Sequence, residues 1–103
     1  MHAPDERTLV EAAQRDPAQF AALYDGHFYR VYAYVVRRVQ NRAVAEDLTS
    51  QVFHEALANL PRFEWRGVPF AGWLFRIAAN AVHDHWLRQA REAGSPARDE
   101  DPQ

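Results

Sequence analysis

The sequence predicts an all-α chain, a compact bundle of three to four helices with an irregular loop before the last one. Three observations carry that expectation. Apolar residues recur at three- and four-residue steps over two long stretches, the period of one helical face. Helix-starting and helix-stopping residues divide those stretches. No alternating strand pattern of useful length interrupts them.

The first amphipathic segment runs from about Asp5 to Arg15, with Leu9, Val10, Ala12 and Ala13 as its apolar members. Asp16-Pro17-Ala18-Gln19 reads as the next helix start: Asp caps, Pro suits the first helical position, and Gln19 is placed to complete a capping box. From there Phe20, Leu23, Tyr24, Phe28, Val31, Tyr32, Val35 and Val39 mark one face of a helix reaching about Gln40. Gly26 interrupts it at a cost of roughly 1 kcal/mol relative to Ala. Asn41 ends this helix or caps the next, on which Val44, Ala45, Leu48, Val52, Phe53, Ala56, Leu57 and Leu60 repeat the spacing until Pro61.

Between Pro61 and Pro69, two prolines and a glycine break regular structure, and Phe63 and Trp65 alternate with Arg62 and Arg66 in a loop of about nine residues. Pro69 starts the last helix, whose apolar side is Phe70, Trp73, Leu74, Ile77, Ala78 and Ala81, and which should end near Arg91 to Gly94. Residues 1–92 are thus expected to form one folded unit. Residues 93–103, acidic and proline-punctuated, are expected to be a disordered tail or linker.

Composition limits the function. A chain of 103 residues supports one modest core. No apolar run approaches the roughly 20 residues that span a bilayer, and the N-terminus lacks the order of a secretory signal, so a cytoplasmic protein without membrane attachment is expected. With no cysteine there is no disulfide framework, thiolate site or cysteine nucleophile. The five histidines form no familiar ligand cluster, so neither a metal nor another cofactor is expected. All 12 cationic side chains are arginine, and the net charge of −2 argues against coating nucleic acid by bulk attraction. The distribution is uneven: −2 over residues 1–61, +3 over 62–91 and −3 over 92–103.

The positive segment carries the functional reading. On a wheel of the last helix Gly72, Arg76, Ala79, Asn80, His83 and Leu87 lie opposite the core. Arg76, Asn80 and His83 form one stripe of groups able to hold phosphates and base edges. Taken alone, such a stripe reads first as a solvated helix face. The preceding loop adds aromatic surface and cations, the pair of features that holds unpaired bases. The bland alternative for Phe63 and Trp65 is that they fold back over the bundle, and Trp73 lies at the border of the core arc. Asp84 and Arg88, four apart and nearer the core side, read as a structural pair. On the preceding helix Glu46, Asp47, Ser50, Gln51, His54 and Glu55 occupy the polar side, either solvated or a docking face for a basic partner. No constellation of nucleophile and base suggests an enzyme.

These residues also carry a resemblance. AEDLTSQVFHEAL, Ala45 to Leu57, followed after the loop by PFAGWLFRIAANAVHD, Pro69 to Asp84, resembles region two of the extracytoplasmic-function group of bacterial sigma factors. The upstream FAALYDGHFYRVYAYVVRRV, Phe20 to Val39, is similar to the helix that precedes it in that family. The resemblance implies a promoter-recognition domain that binds the clamp helices of the RNA polymerase largest subunit and captures an unpaired base of the minus-ten element. It implies a polymerase-contacting surface at Glu46, Asp47, Gln51 and Glu55, with Arg37 and Arg38 at its edge. It also implies a base-capturing loop at Phe63 to Val68 and a promoter-reading helix at Trp73, Arg76, Asn80 and His83. With Arg62 beside the loop, the expected DNA contacts are Arg62, Phe63, Trp65, Arg66, Gly67, Trp73, Arg76, Asn80 and His83. Catalysis would belong to the polymerase, and an anti-sigma factor is a further partner of such domains. A helical interaction module that binds proteins without reading DNA is the rival reading.

Three departures from the family pattern stand out. Val68 replaces the usual Ser or Asp before the last helix, so its cap is expected to come from elsewhere. Leu87 stands where a basic residue is common. A second helical domain that reads the minus-thirty-five element is missing, so the chain is expected to be a fragment, an excised domain or a shortened relative.

Overall fold

The computed structural model describes residues 5–94, and these form four α-helices joined by short connections and two 3-10 turns. Helix α1 spans Glu6–Arg15, α2 Phe20–Val39, α3 Arg42–Asn59 and α4 Phe70–Glu92. The fold class expected from periodicity is the one observed. Most of the expected tail, residues 95–103, lies outside the described residues.

Helix α1 starts at Asp5, whose carboxylate accepts the backbone N–H of Thr8 at 2.8 Å. It buries Val10 and Ala13 against the bundle. The expected capping box at Asp16 is only half formed. Asp16 accepts from the N–H of Ala18 at 3.1 Å, but Gln19 gives no reciprocal side-chain bond, and Pro17–Gln19 is a 3-10 turn ahead of α2. With proline first, the turn closes through the N–H of Gln19 to the carbonyl of Asp16, and α2 begins one step later at Phe20.

Helix α2 buries Phe20, Leu23, His27, Val31, Val35 and Val39, a stripe with steps of three and four. It ends where Gln40 turns left-handed at φ 55°, with its N–H bonded to the carbonyl of Val36. Asn41 then caps α3 by accepting the N–H of Val44 at 3.0 Å. Two residues thus reverse the chain, and α2 packs on α3 as a helical hairpin. Helix α3 buries Ala45, Leu48, Thr49, Val52, Phe53 and Ala56. The Thr49 hydroxyl donates to the carbonyl of Ala45 at 2.7 Å, which satisfies a polar atom in a fully buried position.

The segment from Pro61 is less irregular than its prolines imply. Leu60–Arg62 forms a 3-10 turn, with Pro61 where a missing N–H costs nothing, and buries Leu60. Pro69 precedes α4 without a side-chain cap. Val68 instead packs over Gly72, where an added Cβ would come 3.0 Å from its Cγ1, so the entry to α4 is set by apolar contact. Helix α4 buries Phe70, Leu74, Ile77, Ala78 and Val82. Beyond Val82 the bundle no longer covers it, and Trp86 and Leu87 are 48% and 44% exposed.

Candidate nucleic-acid interface

The stripe on α4 falls where its spacing puts it: Arg76, Asn80 and His83 are all exposed, as are Gly72, Ala79 and Leu87. The loop behaves differently. Phe63 is only 7% exposed, and its ring lies 5.1 Å from that of Trp73, 5.2 Å from Trp65 and 5.9 Å from Phe70. Of the two readings open for Phe63, the side chain takes the folded-back one. A phenyl ring with three aromatic neighbours in reach loses more by facing water than a loop gains by presenting it. Trp65 is half-buried, edge-on against Phe63 and with the Arg7 guanidinium 5.8 Å from its ring centre. Its indole N–H is buried without a hydrogen-bond partner.

Arg62, Arg66 and Gly67 are exposed along the rim of the loop. Arg66 pairs with Glu64, and Gly67 adopts φ +73°, a conformation that favours glycine. Arg62 donates to the side-chain oxygen of Asn59 at 2.6 Å, while Asn59 donates to the carbonyl of Glu55 at 2.9 Å. Between these groups and α4 opens a cleft of about 270 Å³, lined by Glu55, Asn59, Arg62, Phe63, Trp73 and Ile77. It lies just under the range of about 300–1,000 Å³ typical of small-molecule sites. The half-buried Trp73 ring forms an apolar side of it and the Arg62 guanidinium a charged one.

A second, more polar cleft of about 380 Å³ runs between α3 and α4, lined by Gln51, Glu55, Asn80, Ala81, Asp84 and Arg88. Here the expected Asp84–Arg88 pair fails. Both side chains are exposed and no ion pair joins them among the described residues, because each can remain hydrated at the cleft wall. Glu46, Asp47, Gln51 and Glu55 are exposed on α3, and Arg37 and Arg38 in the last turn of α2. Arg38 is committed locally, donating to the carbonyl of Tyr34 at 3.0 Å with its guanidinium 3.7 Å from that ring's centre.

Sequence reasoning missed two groups that shape this region. Asn59 bridges α3 to Arg62, three residues apart, a helix-end contact that the sequence could have suggested. Gln14 reaches from α1 to donate its side-chain amide to the carbonyls of Leu60 and Phe63, both at 3.0 Å. It also passed over His27, 5% exposed on the buried stripe of α2. The Arg30 guanidinium approaches its Nδ1 at 2.7 Å and Glu6 its Nε2 at 2.8 Å. Guanidinium offers no acceptor, so Nδ1 accepts and the proton of the neutral ring sits on Nε2, donating to Glu6. Its position four residues from both Leu23 and Val31 was the available sign.

Among the described residues no three His, Cys, Asp or Glu side chains gather as metal ligands, and no helix is long and apolar enough to cross a membrane.

Comparison with known proteins matches residues 23–92 to the Sigma-70 region 2 family. The chain is 46% identical over 79 residues to the ECF RNA polymerase sigma factor BldN of Streptomyces coelicolor, covering 76% of this chain and 30% of that protein. It is 40% identical over 89 residues to RNA polymerase sigma factor CarQ of Myxococcus xanthus, covering 84% and 50%. Against the RNA polymerase sigma-H factor of Pseudomonas aeruginosa it is 30% identical over 87 residues, covering 84% and 45%. The chain thus spans half or less of the length of these relatives.

Proposed function

The chain belongs to the sigma-70 region 2 family, and from that membership we infer that it is the promoter-recognition domain of an alternative sigma factor of the extracytoplasmic-function group. It docks on core RNA polymerase, at the clamp helices of the largest subunit, and holds the unpaired minus-ten strand as transcription starts. The reaction itself belongs to the polymerase, and the domain works inside the cell where polymerase and promoter are. Residues 1–92 act as the recognition unit, with the acidic segment from residue 93 as a tail or linker.

The observation that carries this reading is the line of Arg76, Asn80 and His83 on α4, exposed beside a cleft walled by Trp73 and Arg62. Arginine holds a phosphate or a guanine edge, and asparagine pairs with adenine. A single base turned out of the strand meets an apolar ring in the cleft, with a cation at its mouth. Phe63 enters as the support behind Trp73 rather than as the stacking surface itself. Arg66 and Gly67 shape the rim, and Trp65 closes the loop over Phe63. On the other side, Glu46, Asp47, Gln51 and Glu55 offer a polar, acidic face to a basic partner helix, with Arg37 and Arg38 at its margin. An anti-sigma factor would compete for these surfaces.

Because the chain carries a net −2, affinity for duplex DNA should be weak and single-stranded minus-ten sequence preferred. Fluorescence anisotropy with labelled single strands measures this directly. The expected result is tighter binding of promoter-like than of scrambled strands, lost in the double variant Arg76→Ala with Asn80→Ala while capture of core polymerase persists. Each phosphate contact removed should also reduce the salt slope by about 0.7. Equal affinity for both strands would sink the reading and leave an interaction module that binds protein alone.

A further inference from the structure

Helix α1 lies outside the residues matched to the family, yet it makes the most direct long-range contact with the candidate DNA loop. The last carbonyls of a helix and its closing turn lack intrahelical donors. Here Leu60 still accepts the N–H of Phe63, and the side-chain amide of Gln14 supplies the rest, one N–H to Leu60 and one to Phe63. Both bonds are partly buried and span 46 and 49 residues of chain. Two turns earlier on the same face of α1, the Arg7 guanidinium lies against Trp65. From Phe63 to Pro69 the loop's own backbone supplies little: the N–H of Arg66 to the carbonyl of Glu64 is the bond within it.

We propose that Gln14 is a positioning residue for base capture, fixing through its amide where the loop leaves α3 and hence where Arg62, Phe63 and Trp65 stand. This rests on the reading that the loop meets DNA. A side chain with the length of glutamine and no donors, as in Gln14→Met, would keep the packing of α1 and release both carbonyls. An ammonium group has three donors and can serve both, so Gln14→Lys should keep the loop set.

The test uses the full chain. Affinities for promoter-like and scrambled single strands are compared as a ratio, since an added charge strengthens both arms alike. Gln14→Met should lower that ratio by about tenfold or more, within the worth of two net hydrogen bonds, speed amide exchange at Phe63 and Arg66, whose N–H groups are the bonded ones in this stretch, and leave capture of core polymerase unchanged. Gln14→Lys should restore the ratio. Should Gln14→Met fold poorly, Gln14→Asn, too short to reach, serves the same purpose in polar form. A discriminating parent chain whose ratio and loop exchange survive Gln14→Met would overturn the proposal. A parent chain indifferent to strand sequence would overturn the DNA reading instead, with loop exchange still deciding whether Gln14 holds the loop.

Discussion

The loop before α4 and the stripe along α4 are neighbours in sequence and both rich in groups that suit nucleic acid, but the fold handles them in opposite ways. Arg76, Asn80 and His83 project into solvent because helix register leaves them nowhere else to go. On a segment free to turn, Phe63 sinks onto Phe70 and Trp73 and joins the core, and Trp65 folds edge-on against Phe63. A regular element displays its polar face by geometry, whereas an irregular one settles wherever its apolar groups find cover. The two regions therefore divide their duties, the helix offering contacts and the loop offering a supported wall.

The sharpest way to break that division is to truncate one residue from each. Phe63→Ala should destabilise the fold by about 3 kcal/mol or more in urea or thermal melts, as removal of a buried aromatic does. Arg76→Ala should change stability by no more than about 0.5 kcal/mol, the ordinary range for a surface site. If the two variants melted alike, the loop would not be part of the core.

A smaller effect tests whether an exposed helix face is as tolerant elsewhere. Gly26 lies on the exposed side of α2, and a Cβ there meets nothing within 4 Å. Gly26→Ala should therefore stabilise by up to about 1 kcal/mol, read as a raised urea midpoint with unchanged slope. Destabilisation would mean that the exposed face is constrained after all.

The smallest effect starts at the first turn of α1. Backbone and then side-chain hydrogen bonding by Thr8 holds the Asp5 carboxyl below its ordinary value. A carboxylate lowered on folding adds stability above its unfolded value, and that gain is lost as pH falls through the folded one. Acid should thus weaken this cap and loosen the first turn of α1. Comparing the chain with Asp5→Asn, the gap in urea midpoint at neutral pH should close under acid. A gap that persists there would exclude the cap as its source.

What could be read in advance follows the same division. The helices were legible because Leu23, Val31, Val35, Leu48, Val52, Leu74 and Ile77 fall on regular faces, and the exposure of the α4 stripe followed from the same arithmetic. His27 sat on that face too, but a histidine there does not announce whether it is buried until Glu6 and Arg30 are seen to satisfy it. Phe63 was ambiguous because no period governs a loop. Gln14 was invisible, since nothing local links a residue of the first helix to carbonyls more than 40 positions away. The Asp84–Arg88 pair was over-read, because spacing permits an ion pair without making it worth forming.

The last buried residue of α4 is Val82, although the helix continues to Glu92. Its first three turns are held by the core, while the remainder has little beyond its own backbone, and a segment of that length is marginal in water. One helix should therefore keep two clocks. Amides up to Val82 should exchange with solvent only when the whole domain opens, and those after it through local fraying at much lower free energy. Whatever comes to rest on Trp86 and Leu87 would announce itself by slowing the faster clock.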